Sequence, residues 1–538
     1  MNFKENESQQ KLSGAYYTPV ELAQFLTRWA LNSNSNSVLE PSIGDGAFID
    51  AIKSTNHTIE SLTGIEINET ELSKAKQKAI KLNIKTTFHN TDFLYWALMK
   101  LNKSRFDVIL GNPPFVRYQY MSKESQMYSE SIFKYFSLKF TKHTNLWVPF
   151  VIASIGLLEE GGKLGMVVPS EILHVTHSQS LRNFIIDQSS KVLIIDPEEI
   201  WFKDTLQGAV LLLIEKRKSK KSIFSGLKII STKGKNFLED PSLLRNNKNY
   251  IKKENLSGKW LTALLSKKEI ALLNDLKKSN QVEIFSDIAS VDVGIVTGVN
   301  KYFLVNDSII NKYKLQKWSH PMFGKSEHCP GIIYNRDQHE INKLKGLPTN
   351  FLYFSESEIA KYSDSVKEYI KEGEKQNFHL RYKTSIRKQW FKVPSVYSSE
   401  IGLLKRCHNI PKLIYNEIGA YTTDTAYRIT TKSKNTKQLV FSFINTLTAV
   451  SAELEGRHYG GGVLELVPSE IEKLLIPLYP SNKVTLEELN EMFLQKIEIK
   501  KILDYQDKII LSYIGLTKSE IKLLSEIRQK LANRRHRI

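Results

Sequence analysis

Over the first two hundred or so residues, short apolar runs alternate with stretches in which apolar side chains return every three or four positions. Strand-like runs fall at Val38-Leu39, Thr63–Ile67, Thr86–His89, Phe106–Leu110, Lys163–Val168 and Lys191–Ile195, with a wholly apolar last strand after Gly208. Helical spacing begins near Ala47 and recurs over Glu69–Leu82 and Asn145–Glu159. The alternation predicts an α/β domain, a doubly wound and mostly parallel sheet of the Rossmann-like kind. In such sheets ligands gather outside the carboxyl ends of the strands. Beyond residue 216 the alternation fades. We expect a catalytic domain over 1–216, a basic linker over 217–250, a mixed α+β partner-reading domain over 251–480 and a helical basic segment over 481–538.

The strand ends carry the chemistry. Phe106–Leu110 stops at Gly111 and delivers Asn112, Pro113, Pro114 and Phe115. The two prolines fix φ and lack an N–H, and a residue before proline is pushed to extended geometry, so the Asn112 amide and the following carbonyl are held rigidly. Two such acceptors suit an amine conjugated to an aromatic ring: they draw its hydrogens and pull the nitrogen toward tetrahedral geometry, while Phe115 stacks on the ring. Asparagine and proline also simply end strands.

The neighbouring strand ends favour the chemical reading. Glu40-Pro41-Ser-Ile-Gly44-Asp-Gly46 closes the first strand in a loop whose glycines permit close backbone approach and then open a helix. Glu66, at the second strand end, suits a pair of ribose hydroxyls. Asp92 could accept a bond from an adenine amine and Phe93 could cover the ring. Either carboxylate alone reads more simply as a solvated strand end; their order is what matters. Upstream, Tyr17-Thr18-Pro19-Val-Glu21 reads as a capping box with Thr18 at the N-cap, whose free N–H groups suit a carboxylate.

Together these residues resemble the gamma-class, TaqI-like adenine-N6 DNA methyltransferases of restriction-modification systems, with specific motifs over about residues 12–216. The resemblance implies S-adenosyl-L-methionine as cofactor and a duplex-DNA adenine as target. It implies Tyr17 and Thr18 at the methionine carboxylate, Glu40, Pro41, Gly44 and Gly46 along the methionine end, Glu66 on the ribose, and Asp92 and Phe93 at the cofactor adenine. Asn112, Pro113, Pro114 and Phe115 would hold the target base, with Phe115 in place of the tyrosine frequent in the class. Phe202 would stack opposite Phe115; Trp201 competes for that role, and either aromatic could instead plug the strand–loop junction. The chemistry implied is an in-line displacement that needs no metal.

In the second half, Lys301-Tyr-Phe, Lys312-Tyr-Lys and the run from Arg381 to Lys392 interleave basic and aromatic residues, which suits a nucleic-acid groove, although aromatics are more often core. Val293-Gly-Ile-Val-Thr-Gly298, Tyr459-Gly-Gly-Gly-Val-Leu-Glu465 and the region of Tyr415–Asp424 resemble segments of the family's target-recognition halves. Their glycines fit either backbone approach to DNA or tight turns.

Composition narrows the partners. Lys plus Arg is 76 against 57 for Asp plus Glu, a formal net charge of +19, which favours a polyanion. The basic runs at Arg217–Lys221 and Arg528–Arg537 read first as solvated charge, second as phosphate contacts. Two cysteines, Cys329 and Cys407, exclude a disulfide framework, and their neighbours His328 and His408 lack the spacing of a zinc site. No apolar run is long enough to span a membrane. We therefore expect a cytoplasmic, DNA-associated monomer with duplex DNA as partner, beside a separate cognate restriction endonuclease. The motifs begin near residue 14, so no nuclease is expected ahead of them. An RNA base methyltransferase, or a subunit of a larger restriction complex, is the alternative.

Overall fold

A computed structural model describes residues 17–537, other than 34, 56, 81, 176–177, 199–207, 220, 235–237, 239–249, 257, 357, 433–434 and 481–482. The chain forms two compact units, one reaching to Ser266 and the other spanning Lys267–His536.

The first unit is built on an eight-stranded sheet: β1 (Ser37–Glu40), β2 (Ser61–Glu66), β3 (Lys85–Asn90), β4 (Phe106–Gly111), β5 (Leu158–Pro169), β6 (Ser189–Pro197), β7 (Ala209–Lys216) and β8 (Gly226–Thr232). Their spatial order is 3-2-1-4-5-7-6-8. Strands β1 to β5 pair in parallel, and β7 runs antiparallel between β5 and β6. Helices cover the sheet, so central strands are apolar without alternation: Val108, Ile109 and Leu110 of β4 are buried, as is all of β7 from Ala209 to Ile214. Helix Val20–Ala30 buries Leu22, Phe25, Leu26 and Ala30, one face at helical spacing.

Two expectations change here. The segment 217–250 is more than a linker: Gly226–Thr232 pairs in parallel with β6 along seven residues and extends the sheet. Its Lys228 and Ser231 interrupt the apolar signal because an edge strand leaves part of itself to solvent. Arg217 likewise is no free charge, since its guanidinium donates to the carbonyls of Ile186 and Ser189. The fifth strand begins at Leu158, not Lys163, because helix Trp147–Leu157 reverses directly into it. A register shift opposite Phe106 and Val108 absorbs the extra residues, with Gly161 at φ 78°.

The second unit holds a five-stranded sheet in the order Ala289–Val293, Ala426–Thr431, Ile401–Leu404, Leu413–Asn416, Ile333–Tyr334. A second core gathers Tyr302, Phe303, Tyr313, Trp318, Tyr369, Phe378, Trp390 and Phe391. The interleaved aromatic and basic residues thus separate: most rings point inward, with Tyr382 an exception, and the lysines outward.

The last helix, Lys518–His536, overturns the reading of its arginines as a solvated tail. Arg534 and Arg535 are buried. The Arg535 guanidinium forms three charged bonds with Glu453 at 2.8–3.2 Å and donates to the carbonyls of His408, Asn409 and Gly462. A buried cation needs such saturation, and Glu453, far upstream, is invisible to a local charge count. No described helix is long and apolar enough to cross a membrane.

Candidate active site

The order of strands places β1 beside both β2 and β4, so the chain turns opposite ways after β1 and after β4, the point at which sheets of this kind open a crevice. Glu40 ends β1, and the loop after it carries Pro41, Ser42, Gly44 and Gly46; the segment after β4 carries Asn112 to Phe115. The Ser42 hydroxyl bridges them, donating to the Asn112 carbonyl at 3.0 Å. With Pro113 buried and Val116 accepting from the Leu146 amide at 2.9 Å, the segment is fixed at both ends. Phe115 is half-buried against the core that Leu22, Phe25 and Leu26 help build.

The loop after β1 is acidic and tightly wound. Glu40 is 2% exposed, and its Oε2 has no hydrogen-bond partner. Burial pushes its pKa well above the usual carboxylate range, Asp45 and Glu66 push it further, and only Lys78 opposes them. Lys78 is itself shared between Asp45 at 3.3 Å and Asp50 at 3.0 Å. Gly46 sits at φ 87°, where a Cβ would meet Ile49 Cδ1 at 3.0 Å and Ala75 Cα at 3.3 Å. Gly44, at φ 52°, faces open space.

Glu66 ends β2. Its Oε2 accepts from the Gly44 amide at 3.0 Å and its Oε1 from the Asn68 amide at 2.9 Å. A carboxylate offers about four lone-pair sites, so two remain for a ligand. Asn90 fastens the end of β3 to the same corner, its amide donating to the carbonyls of Glu66 and Ile67.

Other expected positions differ from their sequence reading. Asp92 is the N-cap of helix Phe93–Lys100: Oδ1 accepts from Leu94 at 2.7 Å and Tyr95 at 3.3 Å, and Oδ2 accepts from the Ser125 hydroxyl at 2.9 Å. Phe93 belongs to the interior, 2% exposed with its ring 4.8 Å from Phe150. The apolar side chain offered to solvent at this corner is Ile67, 68% exposed directly after Glu66. Sequence reading passed over Ile67, Ser42 and Ser125. An isoleucine following the strand-end carboxylate was the available signal for the first; the serines carried none.

The capping box does not form. Helix Val20–Ala30 takes Pro19 as N-cap with no side-chain cap, because Leu22 and Ala23 bond to the Pro19 carbonyl. Thr18 is buried just ahead of it, and Tyr17 is half-exposed. Burial and the neighbouring Glu71 raise the Tyr17 pKa. Trp201 and Phe202 lie outside the described residues.

An orphaned buried carboxylate, two further acids nearby and open space over Gly44 make a site for a cationic group bearing an ammonium. Glu66, with its two remaining acceptor sites, and the exposed Ile67 lie alongside.

A family model described as Eco57I restriction-modification methylase matches residues 21–202, and one described as the C-terminal domain of type II methyltransferase M.Eco57I matches residues 257–511. Among similar proteins, type II methyltransferase M.AccI of Acinetobacter calcoaceticus is 25% identical, covering 89% of this chain and 88% of that protein. M.HindII of Haemophilus influenzae is 23% identical over 61% of this chain and 62% of that protein. M.HincII, also of Haemophilus influenzae, is 24% identical over 65% of this chain and 66% of that protein. The chain thus spans slightly under two thirds of the length of the last two.

Proposed function

As this chain belongs to the Eco57I family of restriction-modification methyltransferases, we propose that it moves a methyl group from S-adenosylmethionine to the N6 amine of adenine in duplex DNA. The observation that carries this reading is the bond from Ser42 to the Asn112 carbonyl, which couples the acidic cofactor-side loop to the amine-side segment across the crevice.

When bound, S-adenosylmethionine supplies an electrophilic sulfonium methyl. In our reading Glu40, with Gly44 and Gly46, receives the methionine end, Tyr17 and Thr18 lie toward its carboxylate, Glu66 takes the ribose hydroxyls, and Ile67 flanks the adenine. Asp92 and Phe93 support that corner from beneath, as helix cap and core. Adenine N6 cannot meet a buried donor inside a duplex, so the base is swung out at about a few kcal/mol; stacking on Phe115 returns about 1–3 kcal/mol. The Asn112 side-chain oxygen and the Pro113 carbonyl accept the two N–H bonds of the amine. So held, the nitrogen lone pair would take the methyl group that the cofactor supplies, its bond to sulfur being given up, and the amine's extra proton would leave to solvent. Positioning supplies much of the acceleration.

We propose further that the chain acts as a monomer in the cytoplasm and protects DNA from a companion endonuclease. Methylation-sensitive sequencing of DNA from cells expressing the chain tests the function. N6-methyladenine at one recurring motif is the expected result; cytosine methylation, or none, would overturn it.

A further inference from the structure

The second unit brings together two stretches almost ninety residues apart, Val293–Gly298 and Phe378–Lys388. Gly298, at φ 79°, lies so close to the second stretch that a Cβ would meet Lys383 Cβ at 2.8 Å. Arg387 donates to the Val296 carbonyl at 2.9 Å. Gly294 is pressed against the carbonyls of Thr423 and Ala426, leaving no room for any side chain. These glycines therefore serve close approach within the protein itself. Thr384, wholly buried, ties the second stretch by donating to the carbonyls of Phe378 and Arg381. Arg428 stacks on Tyr397 and donates to the carbonyls of Val293, Ser395 and Tyr397.

On this rigid base stand side chains that a soluble protein seldom exposes together: Leu380, Tyr382 and Ile386 are 65%, 75% and 68% exposed, with Val296 half-exposed beside them. An exposed apolar patch on a fixed base marks an interaction surface. Its charges are one-sided. Arg381, Lys383 and Lys388 are exposed on the same stretch, whereas Asp424 accepts from the Asn300 amide and Glu374 from the Trp390 indole. Cations around apolar side chains match a phosphate backbone flanking stacked bases, where apolar wedges enter opened base steps.

We propose that this face is a duplex-DNA contact, with Lys383 and Lys388 on phosphates and Tyr382 pressed against the bases. The inference rests on the chain being a DNA methyltransferase. The test uses the full-length protein, a fluorescein-labelled random-sequence duplex for binding, and methyl incorporation into genomic DNA lacking adenine methylation. Joint Lys383→Ala and Lys388→Ala substitution should lower the slope of log affinity against log salt by about two, at roughly 0.9 per phosphate contact. Tyr382→Ala should raise KM for DNA about tenfold, leaving the salt slope in place, and Tyr382→Phe should restore it. Melting temperature and S-adenosylhomocysteine affinity should not move, since these side chains are exposed. Unchanged slope and KM in an enzyme that methylates DNA would overturn this inference alone. A parental protein that methylates no DNA would instead remove the reading on which it stands.

Discussion

Ser42 and Asn112, seventy residues apart, are joined by a 3.0 Å hydrogen bond from the serine hydroxyl to the asparagine carbonyl. The bond holds the peptide whose neighbouring groups, the Asn112 side chain and the Pro113 carbonyl, are the acceptors proposed for the target amine.

Removing the acceptor should therefore separate chemistry from binding. Asn112→Ala should lower kcat by at least about a hundredfold, because positioning is lost, with S-adenosylhomocysteine affinity within a few-fold of parental. Ser42→Ala removes only the brace, worth about 1 kcal/mol, and should lower kcat by about fivefold. Single-turnover methylation and calorimetric titration check both; near-parental methyl transfer by Asn112→Ala would refute the assignment.

In the proposed site, Glu40 should make cofactor affinity depend on pH. Burial, and then Asp45 and Glu66, raise its pKa, so below that raised value the carboxyl holds a proton that must leave before it can face an ammonium. Affinity should rise with pH up to that raised pKa and then level. Stability of the cofactor-free protein should run the other way. A raised folded-state pKa gives stabilisation that is complete below the ordinary carboxylate value and is lost as pH climbs through the raised one. Glu40→Gln should flatten both profiles above the ordinary carboxylate range, and profiles that keep their slope in the variant would assign the effect elsewhere.

The two glycines of the same loop should fail differently. At Gly46 a side chain would press on Ile49 and Ala75, so Gly46→Ala should cost roughly 2 kcal/mol of fold stability through overpacking and backbone strain. Gly44→Ala meets nothing and should cost only about 1 kcal/mol for its backbone conformation. It should weaken S-adenosylhomocysteine binding more than tenfold by filling the space beside Glu66. Melting temperature set against affinity separates the two; equal losses in both variants would contradict it.

Arg535 should matter for folding. Removing one partner of a buried ion pair strands the other, at about 3–5 kcal/mol, so Arg535→Ala should lower the melting temperature of the second unit sharply. Burial would raise the Glu453 pKa, but bonds from His458 and Arg535 outweigh it and hold it at about 2. The stabilisation is then present above the ordinary carboxylate pKa of 4.5 and disappears as pH falls toward 2. Acid melts of parental and Arg535→Ala protein should converge across that window; parallel curves would speak against the pair.

The strand ends were legible because each is announced locally. Val108-Ile-Leu110 is an unbroken apolar run, and Gly44, Glu66 and Asn112 stand where such runs stop. What stayed hidden depends on distant partners. Arg535 looks like one more basic residue of a tail until Glu453 is set against it. Tyr302 and Trp390 look like groove residues until the core they share is seen. Thr18, Pro19 and Glu21 spell a cap, yet the Pro19 carbonyl takes the helix bonds one residue later. Asp92 and Phe93 read as ligand contacts, while the neighbours Ser125 and Phe150 engage them in cap and core.

Glu66 is clasped by the amides of Gly44 and Asn68, so the corner proposed for the nucleoside is held in shape by the chain's own bonds. Little rearrangement should accompany encounter. Association ought accordingly to be fast and single-phased, with tightness written in how slowly the visitor departs.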